Sequence, residues 1–220
     1  MELLEGIKTR RSIRGFKPDP IPKDVMNKIL EAVSNSPSYT NTQPWEMAVV
    51  FGQKKDELSK VIFELAKAKA PTSPDLPMPQ GWPPEQDARS REHGARRLAT
   101  LGIERGDEEG REKLRLMNYE FYGAPCAVFL FIDGSLGEWS LFDMGLFAQN
   151  FVLAAHSLGV ESCLQASVTN YAPEIKKFLG VPESKKLIIC ISLGYIDEKA
   201  KLNAYRSIKQ KAEDFTRWYA

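Results

Sequence analysis

The stretch from Leu141 to Leu158 constrains the fold most, because its apolar residues surround a helix instead of marking one face. A helix that is apolar on nearly every side must be covered on nearly every side. The stretch therefore predicts a central helix, buried in the core or at a subunit interface. Its apolar positions are Leu141, Met144, Phe147, Ala148, Phe151, Val152 and Ala155.

The other regular elements are short and of two kinds. The almost unbroken apolar run Ala127–Ile132 suits a strand buried on both faces, and three further segments read as strands: Trp45–Phe51, Glu161–Ala166 and Leu187–Leu193. Helical patterns cover residues 2–9, Asp24–Ser34, Lys54–Ala70 and the segment from Pro173 to Gly180. Because strands and helices do not alternate regularly, the sequence favours an α+β fold over a doubly wound parallel sheet.

Residues 71–94 form a proline-rich segment that also holds Gly81 and Trp82. So many prolines exclude a regular helix or a central strand there. A long ordered loop is often a lid or a binding loop, so we expect a lid carrying Trp82; the alternative is a stiff loop that shields the core. A charged helical region, 89–118, follows and is expected to break near Gly102–Gly110.

Composition excludes several classes of protein. The chain has 220 residues, enough for a single domain over 1–220, and its 30 basic residues balance 29 acidic ones. This balance predicts no nucleic-acid partner. No apolar run approaches the roughly 20 residues that span a bilayer, and the first residues do not resemble a signal peptide.

The cysteines indicate the compartment. Their number is odd, which predicts buried thiols in a reducing compartment; they are Cys126, Cys163 and Cys190. We therefore expect a soluble, cytoplasmic protein.

The common catalytic motifs are missing from the sequence. It contains no GxSxG, HExxH, P-loop or GxGxxG pattern. His93 and His156 lie far apart, and neither has a cysteine or carboxylate at metal-ligand spacing, so we expect structural roles for both and no metal. An enzyme without a conspicuous nucleophile or metal can take its chemistry from a cofactor.

The best functional lead is a basic cluster near the start. Arg10, Arg11, Ser12 and Arg14 lie within five residues of one another. Two guanidiniums and a hydroxyl near one turn can hold several oxygens of a phosphate, because arginine binds such groups in a fork. The alternative is a solvated basic strip on the surface.

Taken with this cluster, several motifs give a pattern that resembles the nitroreductase family of FMN enzymes, in its branch with a large insertion. The resemblance covers nearly the whole chain, and six motifs in the right order make it specific. They are residues 10–16, 36–45, 118–125, 143–150, 159–166 and 194–197, with Asn203 and Arg206 beyond them.

The resemblance implies a fold and an assembly. The fold is a mostly antiparallel central sheet wrapped by helices, to which the partner's C-terminus adds one parallel strand. Two subunits form an intertwined homodimer with two FMN sites, each built from both chains. A C-terminal extension, 198–220, would then pack its aromatic residues on the partner; these are Phe215, Trp218 and Tyr219.

The resemblance also implies which residues bind FMN. Arg10, Ser12 and Arg206 would hold the phosphate, Arg11 would contribute backbone and local shape, and Arg14 would reach the pyrimidine edge of the ring. The family often has a second cation two positions before its last arginine, and here that position is Ala204.

The remaining contacts that the resemblance implies surround the ring and its side chain. A loop of the other subunit would line them through Pro37, Ser38, Tyr39 and Asn41. Asn118 would bond the ribityl chain or the ring edge. A backbone N–H in the segment beside the ring would bond N5, and the residues of that segment are Gln165, Ala166 and Ser167.

The implied activity is an NADH- or NADPH-dependent reduction of small nitroaromatic or quinone-like substrates. Hydride transfer would run by a ping-pong scheme through flavin N5, with Trp82 and Tyr39 facing the substrate and no side-chain base. The same FMN contacts fit two alternatives: a reductive dehalogenase or other specialised flavin enzyme, and a non-catalytic flavin-binding sensor.

Overall fold

The computed structural model describes residues 1–219, and its elements lie close to the predicted ones. Within these residues the helices are α1 (Leu3–Thr9), α2 (Lys23–Val33), α3 (Gly52–Lys67), α4 (Pro84–Leu101), α5 (Glu108–Leu116), α6 (Glu138–Ser157) and α7 (Ala172–Leu179). The strands are β1 (Glu46–Phe51), β2 (Cys126–Asp133), β3 (Glu161–Gln165) and β4 (Lys185–Gly194).

The strands form one four-stranded sheet in the order β1-β2-β4-β3, and every neighbouring pair is antiparallel. The α+β class and the antiparallel sheet are therefore confirmed. Strand β2 lies second from the edge and is buried along its length except at Asp133, as its unbroken apolar sequence predicts. The additional strand from a partner subunit stays a prediction.

Helix α6 covers one face of the sheet together with α2. Phe147 and Phe151 of α6 pack with Ile29 of α2 in one buried cluster, which confirms the central helix. Its first turns are not covered within one chain, because Trp139 is 66% and Phe142 is 60% exposed.

The opposite face of the sheet carries a second buried cluster. Leu58 of α3, Leu114 of α5 and Ile175 of α7 belong to it. Helix α4 joins this cluster through Leu98 and Leu101, which are partly buried against it. Helix α4, which follows the proline-rich segment, thus packs on the body of the protein.

The prediction of irregular structure across residues 71–94 is wrong for its second half. Helix α4 begins at Pro84, with Pro83 at its N-cap. Proline is tolerated at the first helical position, since the N–H that it lacks would have no helical partner there. Only residues 71–83 are irregular. The predicted break is confirmed, because α4 ends at Gly102 with a left-handed φ of 70° and α5 begins at Glu108.

Beyond β4 the chain is mostly extended, with short 3-10 turns at Lys201–Ala204 and Ala212–Asp214. Within one chain the terminal aromatic side chains of Phe215, Trp218 and Tyr219 are 69%, 92% and 87% exposed. The last position of the predicted extension, Ala220, lies outside the described residues. Of the helices in the described part of the chain, none is long and apolar enough to cross a membrane.

Candidate functional site

The predicted phosphate-binding segment runs from the end of α1 along the edge of the sheet. Ser12 forms a parallel bridge with Ser162 of β3, and the N–H of Ile13 donates to the carbonyl of Ser162 at 2.9 Å. The side chain of Ile13 is buried, whereas Ser12 and Arg14 are half-buried. Side chains alternate along extended chain, so the polar residues are directed away from the core that Ile13 enters.

Asn203 joins this segment to the C-terminal part of the chain. Its Oδ1 accepts the backbone N–H of Arg14 at 2.7 Å, and its Nδ2 donates to the carbonyls of Gly15 and Asp197 at 2.8 Å each. The side chain is 4% exposed, so these bonds are shielded from water. The sequence motif includes Asn203 without giving it a role; the structure shows that it positions Arg14.

The backbone of Asn203 also gathers two arginines. Arg206 donates from Nη1 to the carbonyl of Asn203 at 2.8 Å, and Arg11 donates to the same oxygen. Arg206 is therefore placed beside the segment that holds Arg10 and Arg14. Ala204 stands two positions before Arg206, where the family often has a second cation. It is exposed and supplies no charge.

Carboxylates of the described residues do not neutralise the arginines of this region. Among residues 1–219, no carboxylate lies within 4.0 Å of the guanidiniums of Arg10, Arg14 and Arg206. Arg14 instead lies over Tyr122, with its guanidinium carbon 6.0 Å from the ring centroid. Burial raises the pKa of the Tyr122 hydroxyl, so it stays neutral. The result is a positively charged region that fits an anionic ligand.

Asn118 and Gln165 meet in a buried polar network next to this region. The amide of Gln165 donates to the carbonyl of Asn118 at 2.9 Å, and the hydroxyl of Ser192 donates to Gln165 Oε1. The hydroxyl of Tyr122 donates to Asn118 Oδ1 at 2.7 Å. The Gln165 side chain thus points into the protein, which leaves only its backbone for a cofactor. Sequence reasoning missed Ser192, because a serine inside an apolar strand gives no separate signal.

The Pro37–Asn41 loop, which the resemblance assigns to the partner's FMN, packs on α6 in this structure. Asp143 of α6 accepts the backbone N–H of Tyr39 at 3.0 Å, and Ser38 Oγ accepts the N–H of Gln43 at 2.9 Å. Asn41 has a left-handed φ of 58°, a conformation that asparagine tolerates well. Pro37 precedes these contacts and is exposed.

The aromatic ring of Tyr39 is held outside the core. It stacks on Trp139 with ring centroids 5.5 Å apart and planes 18° apart, and it remains 58% exposed. Trp82 is 54% exposed in the irregular segment and takes part in no aromatic pair within residues 1–219.

The structure therefore divides the predicted residues into two groups. One group is the segment of residues 10–14 together with Asn203 and Arg206, which bond to it. The exposed Ala166 and the half-buried Ser167 follow β3, the strand whose Ser162 bridges Ser12. The other group is the Pro37–Asn41 loop on α6. In the described part of a single chain, no hydrogen bond joins the loop to the Arg14 group.

The histidines and cysteines make internal contacts. His156 bonds Glu161 through Nδ1 and Thr9 through Nε2, both at 2.9 Å, and His93 bonds the hydroxyl of Tyr205 at 2.9 Å. No group of three potential metal ligands occurs among residues 1–219. The three thiols are free and buried, and burial raises the pKa of Cys126 to about 12, which keeps it unreactive.

Comparison with known proteins places this site in a family. The model of the nitroreductase family matches residues 7–195, so the chain belongs to that family. It is 32% identical to a 4-nitrobenzoate reductase of Pseudomonas putida, over 96% of this chain and 92% of that protein. It is 34% identical to the nitroreductase NfnB of Mycolicibacterium smegmatis, over 96% of this chain and 90% of that protein.

Solved structures agree on the fold. The FMN-dependent nitroreductase NfnB from Mycobacterium smegmatis, in complex with NADPH, superposes with a TM-score of 0.94 at 32% identity and full coverage of both chains. An FMN- and NADPH-dependent nitroreductase from a Sphingopyxis strain gives a TM-score of 0.95 at 26% identity, again with full coverage.

Proposed function

We propose that this protein is an FMN-dependent NAD(P)H oxidoreductase that reduces nitroaromatic or quinone-like substrates. The observation that carries this proposal is the group of arginines around Asn203. Arg11, Arg14 and Arg206 all contact Asn203, and none of them has a carboxylate partner among residues 1–219. Membership of the nitroreductase family and relatives described as FMN- and NADPH-dependent support it.

The residues present fit FMN. A phosphate carries about two negative charges near neutral pH, and Arg10, Arg206 and the Ser12 hydroxyl offer two cations and a hydroxyl for it. Arg14 remains for the pyrimidine edge of the ring, and Asn203 fixes its backbone at 2.7 Å. The exposed backbone near Ala166 is available to the ring edge.

The chain's own residues bind and orient the reactants. When bound, FMN supplies the ring that takes a hydride from NAD(P)H and delivers it to the electron-poor substrate. Arg14 stabilises negative charge at the ring edge, and the buried network of Gln165, Asn118 and Ser192 keeps the adjoining backbone in place. No side chain of the site has to act as a base, since positioning alone supplies much of the rate.

A homodimer completes the site in this proposal. The Pro37–Asn41 loop is fixed to α6 and carries the exposed Tyr39, next to the exposed Trp139 and Phe142. An exposed aromatic surface of this kind marks an interface. In the dimer this loop would line the neighbour's FMN.

The C-terminal extension supports the same assembly. An apolar groove of about 690 Å³ lies between α2 and the end of β1, where Met26, Leu30 and Val49 line it. The exposed aromatic residues near 215–219 of a partner would fill such an apolar groove. We expect a single nitroreductase-like domain per chain, with the segment around 71–94 as its lid, of which 84–94 belong to α4. We also expect a cytoplasmic protein, since its three cysteines are unpaired.

Substrate class follows from the relatives by analogy. Two of them are 4-nitrobenzoate reductases, and others reduce nitrobenzene or chloronitrobenzene. We propose 4-nitrobenzoate as the first substrate to test, with a benzoquinone beside it.

The absorbance spectrum of the purified protein tests the cofactor. We expect flavin bands, FMN released on denaturation, and bleaching of the bands under anaerobic mixing with NADPH or NADH. The Arg10→Ala variant should bind FMN about tenfold to a hundredfold more weakly, since a charged hydrogen bond contributes about 1.5–3 kcal/mol. The exposed Arg91→Ala variant is the control.

Two results would overturn the proposal. A protein that takes up no FMN would exclude the cofactor, and a bound flavin that neither NADPH nor NADH reduces would indicate a sensor instead of an enzyme. Turnover of a halogenated phenol without turnover of nitroaromatics would replace the substrate class with reductive dehalogenation.

A further inference from the structure

The arginines of α4 differ in whether an acidic residue pairs with them. Those on its exposed side pair with the acidic residue four positions earlier, at 3.8, 2.8 and 2.6 Å: Arg89 with Glu85, Arg91 with Asp87, and Arg96 with Glu92. Such i,i+4 pairs are the ordinary way in which a solvated helix neutralises its charges. Arg97 breaks the pattern, because the residue four positions before it is His93.

One nitrogen of the half-buried Arg97 lies inside the protein without a partner. Its Nε is buried and has no hydrogen-bond acceptor among residues 1–219. Within residues 1–219, no carboxylate lies within 4.0 Å of it. An unpaired buried donor costs about 1–3 kcal/mol and more when charged, so this N–H favours a ligand acceptor that residues 1–219 do not supply.

The neighbours of Arg97 in the structure place it beside the candidate site. The neighbouring Leu98 packs against the buried cluster that contains Tyr122 and Cys163. One turn earlier, His93 bonds the hydroxyl of Tyr205, which precedes Arg206 in sequence. Helix α4 therefore lies across the candidate site, between its C-terminal arginine and the side chains beneath Arg14.

Charge effects agree with this placement. Burial raises the pKa of Tyr122 and of Cys163, and the positive charges of both Arg14 and Arg97 partly oppose each rise. The two guanidiniums thus act on the same pair of side chains. Two like charges on one site repel each other, and an anion bound by both would offset that repulsion.

We propose that Arg97 is a further FMN-binding residue, which acts with Arg14 on the pyrimidine edge of the flavin ring, where negative charge develops on reduction. Helix α4 then completes the cofactor site in addition to covering it. This inference rests on the proposed function. Because the ring gains negative charge on reduction, a second cation there binds reduced FMN more tightly than oxidised FMN and raises the reduction potential.

Arg97→Met tests this with the holoenzyme. Methionine keeps the length and apolar stem of the side chain and removes its charge. We expect reduced FMN to be bound about tenfold less tightly relative to oxidised FMN, which lowers the two-electron midpoint potential by about 30 mV. FMN released on dilution, followed by flavin fluorescence, should increase as well.

Two further variants serve as controls. Arg96→Met removes the neighbouring arginine, which pairs with Glu92, and should leave the potential and FMN retention unchanged. Arg97→Lys keeps the charge without the fork geometry and should restore most of the potential.

Three outcomes would overturn the inference. The potential and FMN retention of Arg97→Met could equal those of the wild type. The variant could melt at a lower temperature with an unchanged potential, which would assign Arg97 a purely structural role. It could lose only the binding of benzoate, seen as a smaller perturbation of the flavin spectrum, which would assign Arg97 to an anionic substrate. A wild-type protein that binds no FMN would instead overturn the proposed function.

Discussion

Asn203 accepts the backbone N–H of Arg14 on its side-chain Oδ1 at 2.7 Å, so a C-terminal residue fixes a residue near the N-terminus. The same amide donates to the carbonyl of Gly15, and its side chain is buried. A substitution at 203 therefore acts on the position of Arg14 without touching its charge.

We predict that Asn203→Ala lowers the free energy of unfolding by roughly 2–4 kcal/mol, because it leaves buried backbone groups of Arg14 and Gly15 unpaired. FMN retention should fall with it. Urea unfolding and flavin fluorescence measure the two effects. Asn35→Ala is the control, since Asn35 makes one exposed side-chain bond, to Glu31. Unchanged FMN retention in Asn203→Ala would show that Asn203 does not position the cofactor site.

A second prediction concerns the loop that is proposed to serve the neighbour's site. Asp143 Oδ1 holds the backbone N–H of Tyr39 at 3.0 Å. Asp143→Ala should weaken FMN binding by freeing the loop. Its cost in stability should stay below about 1–2 kcal/mol, because the substitution also removes Oδ2, which is buried without a hydrogen-bond partner among residues 1–219. Asp143→Asn keeps an acceptor oxygen and should stay close to the wild type. If both variants retain FMN equally, the loop does not contribute to the site.

Part of this structure follows from sequence patterns alone. The all-round apolarity of Leu141–Leu158 and the unbroken run Ala127–Ile132 predict α6 and β2, because such segments are stable only when covered. The break between α4 and α5 is also predictable, since Gly102 adopts a left-handed φ that other residues disfavour.

Other features depend on tertiary contacts that no local pattern encodes. The prolines of 71–84 hide the start of α4, since a proline at the first helical position looks like one that breaks a helix. Whether Arg97 faces inward depends on which side of α4 meets the core. The Gln165 side chain looks available for a cofactor until Ser192 on the adjacent strand is seen to occupy it.

A third prediction concerns the pH dependence of stability. Burial and then the charges of Arg97, Arg14 and Lys209 lower the pKa of His93 below its ordinary 6.5. Between that folded pKa and 6.5, the unfolded chain binds more protons than the folded one, so stability falls as the pH drops below 6.5. Protonation would also add a cation beside those three.

His93→Gln should reduce this loss of stability, since glutamine can still bond Tyr205 and does not titrate. Thermal unfolding midpoints between pH 7.5 and 5 measure the slope. Equal slopes for the variant and the wild type would assign the acid sensitivity to other groups.

The last prediction concerns the irregular segment that precedes α4. Trp82 is 54% exposed there, and an exposed tryptophan beside a flat cofactor can stack on flat substrates. Trp82→Ala should lower kcat/KM for bicyclic nitroaromatics by at most roughly tenfold, because aromatic stacking contributes about 0.5–1.5 kcal/mol. Monocyclic substrates should be affected less, and FMN content should not change. Met78→Ala, in the same segment, controls for a general loosening of the chain. If Trp82→Ala changes all substrates equally, or not at all, the segment only shields the core and is not a lid.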